Sequence, residues 1–274
     1  MPEMPEVETV RRTLTPLIVG KTIEKVKLWY PKIIASDPKA FQTNLIGQKI
    51  VAVDRYAKFL LIRLSKEQTI VSHLRMEGKY RLTTPEMPKD KHDHVQFTFT
   101  DGTALRYNDV RKFGRMELVE TGTEKTTTGI AKLGSEPNSV DFSVAKFYQA
   151  LQRKHKNIKS TLLDQTVVAG LGNIYVDETL WQSKIHPLTP ANKLSKARVK
   201  MLHDNINQTI TLAIAKKGTT VHTYLDANGD SGHYQELLQV YGHAGEPCQR
   251  CGTTLEKIKV NGRGTTFCPR CQRL

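Results

Sequence analysis

Apolar positions fall into two registers along this chain, and the change between them divides it. Residues 5 to about 16 carry Val7, Val10 and Leu14 at helical spacing, with Pro5 near the start, which predicts a first helix. From Gly20 to about Val119 the apolar residues come in short runs, at 49–53, 59–64 and 95–99, the last followed by the turn pair Asp101-Gly102. Regular short strands with such turns predict a sandwich or barrel-like sheet. Residues 121–138 are polar, hold Gly122, Gly129, Gly134 and Pro137, and read as a linker. Helical spacing then returns. Val144, Phe147, Tyr148 and Leu151 share one face, and Val199, Leu202, Ile206, Ile210 and Ala213 share another on a long helix. Near the C-terminus Ile258 and Val260 alternate with Lys257 and Lys259. They precede Asn261-Gly262, the strongest short hairpin signal.

Four cysteines bracket that hairpin. Cys248-x2-Cys251 is followed by a 16-residue gap and then Cys268-x2-Cys271. Two Cys-x-x-Cys pairs about 15–20 residues apart have the spacing of a structural zinc site. Four thiolates close a tetrahedral shell and leave no position for a reacting water. The expected zinc, one per chain, therefore holds structure and does no chemistry. No secretory signal opens the chain, and cytosolic cysteines stay reduced, which favours the metal over disulfides. The pinned hairpin carries Arg263 at or just past its tip. A solvated surface arginine and a phosphate or groove contact are both open readings there.

Charge narrows the partners. Lys plus Arg is 41 against 27 Asp plus Glu, a formal charge of +14 with pI near 9.6. A surplus of this size points to nucleic acid. No apolar run approaches the ~18 residues of a membrane-spanning helix. The 38% apolar content over 274 residues is enough for two domain cores plus the zinc module.

The chemistry lies at the other end. The chain opens Met1-Pro2-Glu3. A small second residue such as proline normally licenses removal of the initiator methionine, leaving Pro2 with a free secondary amine. An α-amino group titrates at about 7.7–8.0, against about 10.4 for lysine. A useful share is therefore an unprotonated nucleophile at neutral pH. Attack on a sugar C1′ gives a charged iminium, an electron sink that eases loss of the C2′ proton and β-elimination. By itself Met-Pro-Glu is also an ordinary disordered terminus.

Longer motifs decide between these. Met1-Pro2-Glu3-Met4-Pro5-Glu6-Val7-Glu8-Thr9 resembles the opening of the bacterial formamidopyrimidine-DNA glycosylases, which are also DNA-(apurinic or apyrimidinic site) lyases. So do His73-Leu74-Arg75-Met76-Glu77-Gly78, Lys91-His92-Asp93-His94, Asp109-Val110-Arg111-Lys112-Phe113-Gly114 and Gly170-Leu171-Gly172-Asn173-Ile174-Tyr175. With the zinc hairpin the likeness runs from residue 2 to 273, in order and at family spacing. The resemblance implies an α+β multidomain fold: an N-terminal antiparallel β-sandwich with flanking helices over 1–120, a linker over 121–138, a helix–two-turns–helix DNA-binding domain over 139–238 and a zinc-finger β-hairpin over 239–274. DNA would lie in the cleft between. It implies a monomeric, cytoplasmic bacterial enzyme, associated with the nucleoid through its DNA. That enzyme removes oxidised purines, chiefly 8-oxoguanine and formamidopyrimidines, from duplex DNA. It then cleaves the strand at the abasic site by β,δ-elimination.

The same resemblance assigns roles. Pro2 is the Schiff-base nucleophile. Glu3 protonates the deoxyribose ring oxygen, which requires a carboxyl kept protonated by partial burial. Glu6, one turn on, supports catalysis or simply favours the helix dipole. Lys58 contacts phosphate and moves protons during elimination. The family usually has arginines at both 55 and 56, so Tyr56 departs from it at a flanking contact. A base inside a duplex must be flipped out, at roughly a few kcal/mol, and the hole filled. Phe113 wedges the stack, Met76 occupies the vacated space and Arg111 faces the orphaned cytosine. His92, Lys154, Lys159 and Asn173 contact DNA. Asn173 lies where a helix begins near Ile174, a place for phosphate or for an ordinary N-cap. Arg263 holds the phosphates at the lesion and assists δ-elimination. Residues 218–232 form a mobile loop over the flipped base, with His222 where relatives often carry Arg or Lys.

Other classes are weighed on the same residues. Endonuclease VIII, the sister glycosylase for oxidised pyrimidines, typically has Gly at the fourth position, where this chain has Met4. A non-catalytic zinc protein that binds DNA or ribosomal RNA accounts for the charge and the hairpin. It leaves Pro2, Glu3 and Lys58 without a task.

Overall fold

The computed structural model describes residues 2–126, 129–220 and 231–274. The backbone forms two compact units, Met1–Ala131 with Lys217–His233 and Lys132–Lys216 with Tyr234–Leu274. The described residues 217–220 and 231–233 group with the first unit, within the span 139–238 that the resemblance gives to the helical domain. Among the described residues no helix is long and apolar enough to cross a membrane.

The first unit contains α1 (Met4–Ile18), β1 (Ile23–Leu28), α2 (Pro38–Leu45), β2 (Ile50–Tyr56), β3 (Phe59–Leu64), β4 (Gln68–His73), β5 (Lys79–Thr83), β6 (Asp93–Phe99), β7 (Ala104–Asn108) and β8 (Arg115–Glu120). The strands form two four-stranded antiparallel sheets, ordered β1-β6-β7-β5 and β2-β3-β4-β8. This is the expected sandwich. One core joins Ile23 and Phe97 of the first sheet, Val53, Leu60 and Ile70 of the second, and Val7, Val10, Leu14 and Ile18 of α1. The β2–β3 register, Tyr56 against Phe59, leaves a two-residue turn of Ala57 and Lys58, with Ala57 at φ +51°. Tyr56 itself packs on a small apolar cluster of Leu61, Val71 and Ile130. That cluster, and the ion pair of Arg63 with Glu124, fasten the start of the polar linker to the sheet. α1 also differs from a simple amphipathic helix. Its residues 4–10 are all buried, so Glu6 and Glu8 lie inside and need partners.

The second unit contains α3 (Val144–Gln152), α4 (Ile158–Leu163), α5 (Asn173–Gln182), α6 (Lys196–Ala215), β9 (Glu256–Val260) and β10 (Arg263–Phe267). Ser143, Asn157 and Ser195 cap α3, α4 and α6 through side-chain oxygens. α6 buries Val199, Leu202, Ile206, Ile210 and Ala213, as their spacing predicts. In the hairpin Val260 pairs with Arg263, and Asn261 and Gly262 take φ +45° and +78°. Positive φ at both turn residues is the signature of a type I′ turn. Two neighbouring acids of α5 fasten this module. The Glu178 carboxylate accepts the N–H groups of Gln239, Val240 and Tyr241 at 3.0, 3.0 and 2.9 Å. Asp177 accepts that of Thr266 at 3.1 Å.

Candidate active site and nucleic-acid interface

The N-terminus of α1 organises the first unit's site. Pro2 is buried and Glu3 is 3% exposed. Glu3 caps the helix in a reciprocal capping box with Glu6, whose Oε2 accepts the Glu3 N–H at 2.8 Å. The other oxygen of Glu6 accepts the Thr219 N–H at 2.8 Å and its hydroxyl at 3.3 Å. Glu6 is therefore more than a dipole partner, because it ties the helix start to residues 218–219. Gly218, at φ +74°, is required there, since a Cβ would fall 2.6 Å from Glu6 Oε1. The hydroxyl of Thr220 accepts the Gly232 N–H at 2.7 Å. His222 lies outside the described residues.

A charge network sets Lys58 beside this helix. Glu8 accepts Arg11 at 2.8 and 3.0 Å, Arg12 at 2.8 Å and Arg55 at 3.0 Å. Arg55 also donates to the Ala57 carbonyl at 3.0 Å, in the turn that carries Lys58. Lys58 is 6% exposed. Burial would raise the Glu8 carboxyl, but the three arginines outweigh it and hold it at about 2. Its stabilising contribution is complete above the ordinary 4.5 and is lost as pH falls toward 2. Glu8→Gln is expected to destabilise the protein by about 2 kcal/mol at pH 7, with the deficit shrinking at pH 3. Urea midpoints at the two pH values measure this, and an equal deficit at both would contradict it. Next to Lys58, burial and the charges of Arg75 and Lys58 push His73 down to about 3. The ring is thus neutral, and its Nδ1 accepts the Arg75 N–H at 2.9 Å.

Met76 sits half-buried in the turn after β4, while Arg111 and Phe113 stand exposed in the loop after β7. Phe113 is 48% exposed, and the Arg111 guanidinium lies 4.9 Å from its ring centre. A large bare aromatic of this kind marks a contact surface. His92 is half-buried, with its N–H on Asp90 at 2.8 Å.

In the second unit the hairpin tip rests on two helix ends. Asn173 is the first residue of α5, with Gly172 at the cap position, so it is not the N-cap. Its Nδ2 donates instead to the Gly264 carbonyl at 3.0 Å, and its buried Oδ1 has no hydrogen-bond partner among the described residues. Asn261 Nδ2 donates to Ser160 at 2.7 Å. Arg263 is left exposed beside a cavity of about 540 Å³ lined by Arg153, Lys154, His155 and Lys156. Asp164 also lines it, paired to Lys154 at 2.9 Å.

Lys159 requires a correction. It is fully buried and ion-paired to Asp177, so it is not the surface DNA contact expected of it. Burial pushes the Asp177 carboxyl up to about 6, against the opposing pull of the Lys159 charge. Lys159→Met is expected to cost about 3 kcal/mol of stability by leaving a buried charge unmatched. Denaturant unfolding tests this, and a shift below about 0.5 kcal/mol, the usual range for a surface change, would contradict it.

The four cysteine sulfurs lie within 4.8 Å of one another, and Cys251 and Cys268 are 3.5 Å apart. A tetrahedral zinc with bonds of about 2.3 Å needs edges of about 3.8 Å, so the residues fit. The Trp181 indole N–H donates to Cys248 Sγ at 3.4 Å, and the Cys271 N–H to Cys268 Sγ at 3.3 Å, which favours thiolates.

Of the acids that hold these groups, Glu8 stands inside a quoted motif without an assigned role, and Asp177 and Glu178 escaped sequence reasoning.

The chain matches three family models: the formamidopyrimidine-DNA glycosylase N-terminal domain over residues 1–116, the H2TH domain of the same glycosylases over 133–224, and the zinc finger found in FPG and IleRS over 245–274. Among curated proteins it is 71% identical over 272 residues to the formamidopyrimidine-DNA glycosylase of Lactobacillus acidophilus, covering 99% of both chains. It is 69% identical over 274 residues to that of Lactobacillus johnsonii, covering 100% of this chain and 99% of the other. Among solved structures it superposes on Lactococcus lactis Fpg in complex with DNA containing an abasic site, with TM-score 0.94, 45% identity and coverage of 99% and 100%. A Lactococcus lactis Fpg mutant bound to DNA containing Fapy-dG gives TM-score 0.95 at 45% identity, with full coverage of both chains.

Proposed function

This chain belongs to the formamidopyrimidine-DNA glycosylase family, and on that premise we propose which side chains carry its two reactions. These are excision of an oxidised purine from duplex DNA and cleavage of the strand at the resulting abasic site. The supporting observation is Arg55, whose guanidinium holds Glu8 of α1 and the Ala57–Lys58 turn together. It ties the turn that carries Lys58 to α1.

With Met1 removed, the Pro2 amine attacks C1′. The new N–C1′ bond forms as the bond to the base breaks, and the base leaves with the electron pair and takes up the proton that the amine gives up. Glu3 gives a proton to the ring oxygen, the sugar opens, and C1′ becomes an iminium. Loss of the C2′ proton then expels the 3′ phosphate, a second elimination expels the 5′ phosphate, and water releases Pro2. Lys58, buried beside this helix, moves the protons and meets a phosphate. Glu6 keeps the helix start and residues 218–219 in register.

Arg263 and Lys154 are the phosphate contacts of the second unit, and Arg263 assists the δ step. Asn173 contributes through the hairpin that it steadies. Lys159 acts only through Asp177. His92 meets the flanking backbone. Met76 fills the vacated space, Phe113 wedges the stack and Arg111 faces the orphaned base. Zinc, held by Cys248, Cys251, Cys268 and Cys271, fixes the hairpin and enters no step. The enzyme acts as a monomer at the bacterial nucleoid, with catalysis in the N-terminal domain and grip in the helical and zinc domains.

Borohydride trapping on a duplex with one 8-oxoguanine opposite cytosine tests this reading. The expected result is a covalent adduct that maps to Pro2. Processed, zinc-loaded protein that cleaves the duplex without forming any adduct would overturn it.

A further inference from the structure

Two crossovers connect the sheets of the first unit side by side. One runs from β4 to β5 through Met76, the other from β7 to β8 through Arg111 and Phe113. Their ends are paired, His73 with Arg115 and Lys79 with Asn108. The hydroxyl of Tyr107 lies between them. A Cβ on Gly78 would fall 2.2 Å from that oxygen, and one on Gly114 would fall 1.7 Å from it. Both backbones therefore close onto the hydroxyl as glycine alone allows. Gly78 closes the Met76 turn, with its N–H on the Leu74 carbonyl at 3.0 Å and Arg75 at φ +56°.

Asp109 shapes the second crossover from inside. Its Oδ1 accepts the Arg111 N–H at 3.0 Å and its Oδ2 the Gly114 N–H at 2.8 Å. The Tyr107 hydroxyl donates to the same Oδ2 at 3.4 Å. His94 Nε2 meets the Asp109 carbonyl at 2.7 Å, and the Asp109 N–H donates to His92 at 3.0 Å. Tyr107 is held in turn by Tyr80, its cross-strand partner, with ring centres 5.2 Å apart. The Tyr80 hydroxyl is anchored on Ser72 at 2.7 Å. Burial, with Asp109 alongside, pushes the Tyr107 hydroxyl well above its ordinary value, so it stays a donor. Tyr107 and Asp109 are both 0% exposed and cannot reach DNA themselves.

We propose that Tyr107 and Asp109 are positioning residues that lock the two crossovers to each other, so that Met76, Arg111 and Phe113 enter the base stack as one rigid unit. The inference rests on the void-filling reading above. Its physical gain is order established before binding, so that flipping does not bear the entropy of fixing two loops.

Tyr107→Phe removes one oxygen, and Asp109→Asn replaces one of the two acceptor oxygens with an amide donor, with little change of shape. A 2-aminopurine beside the lesion reports void filling in stopped flow. A preformed abasic site in single-stranded DNA has no stacked void, and its cleavage reports chemistry alone. The expected result is a void-filling phase slowed about tenfold in both variants, as for a misplacement below 1 Å, with single-strand cleavage unchanged. Met76→Ala and Phe113→Ala should slow the same phase, non-additively in the wild-type background and additively once Tyr107→Phe is present. If neither alanine variant slows it, the void-filling reading falls and the proposal with it. If both do, while Tyr107→Phe and Asp109→Asn keep the wild-type rate, the reading stands and the positioning role is overturned.

Discussion

Glu3→Gln is expected to cut single-turnover excision of 8-oxoguanine by about 10²–10⁴-fold, the range of a lost general acid. The substitution isolates the proton. Glutamine keeps an oxygen to accept the Glu6 N–H, so the capping box and the start of α1 persist. What it lacks is an acidic proton for the ring oxygen. A preformed abasic site already exchanges between its ring and open-chain forms, so its cleavage should fall far less than base excision. Lesion-DNA affinity should stay near wild type. Rates on the two substrates give the answer directly. Equal losses on both would assign Glu3 to placing Pro2 rather than to proton transfer.

Removal of zinc is the second large effect. Metal binding in zinc-finger peptides is worth about 10–16 kcal/mol, comparable to or above the 5–15 kcal/mol of a whole domain. The module's own apolar cluster, Trp181, Val240, Leu255 and two of the cysteines, is too small to replace it. Chelation should therefore unfold the hairpin, displace Arg263 and weaken lesion-DNA binding by on the order of 100-fold, as for loss of an arginine hot spot. Trp181 reports the event in place. It is 8% exposed, its N–H meets Cys248, and Arg250 stacks 3.9 Å above its ring. Its emission should move to the red, while Trp29 in the first unit serves as internal reference. The first unit keeps its own two-sheet core and should stay folded. Unchanged emission and affinity after stoichiometric zinc release would rule out a structural metal.

The parts of the fold that were legible beforehand share one property: their signals are local. The periodicity of α6, the run at 59–64, the Asn261-Gly262 turn and the two Cys-x-x-Cys pairs each depend on neighbours a few residues away. The candidate site was legible in a different way. Met-Pro-Glu alone describes a frayed terminus as well as a nucleophile, and Lys58 alone describes a solvated edge. Their roles came from likeness to a family rather than from spacing.

What stayed hidden was the fate of each charge. Lys154 and Lys159 stand five residues apart with the same chemistry. One lines a basic cavity, and the other is sealed against Asp177, eighteen residues further on. Glu6 and Glu8 look alike in the sequence, two carboxylates two residues apart. One holds Thr219, more than two hundred residues away, and the other collects three arginines. Tyr107 lies in β7, and its hydroxyl is the point on which two distant glycines close. By itself the sequence determined the elements, the zinc site and the family. The tertiary structure decided which polar groups face water and which face each other. The cost of burying a charge depends on the partner it meets, and that partner is brought by the fold rather than by the neighbouring residue.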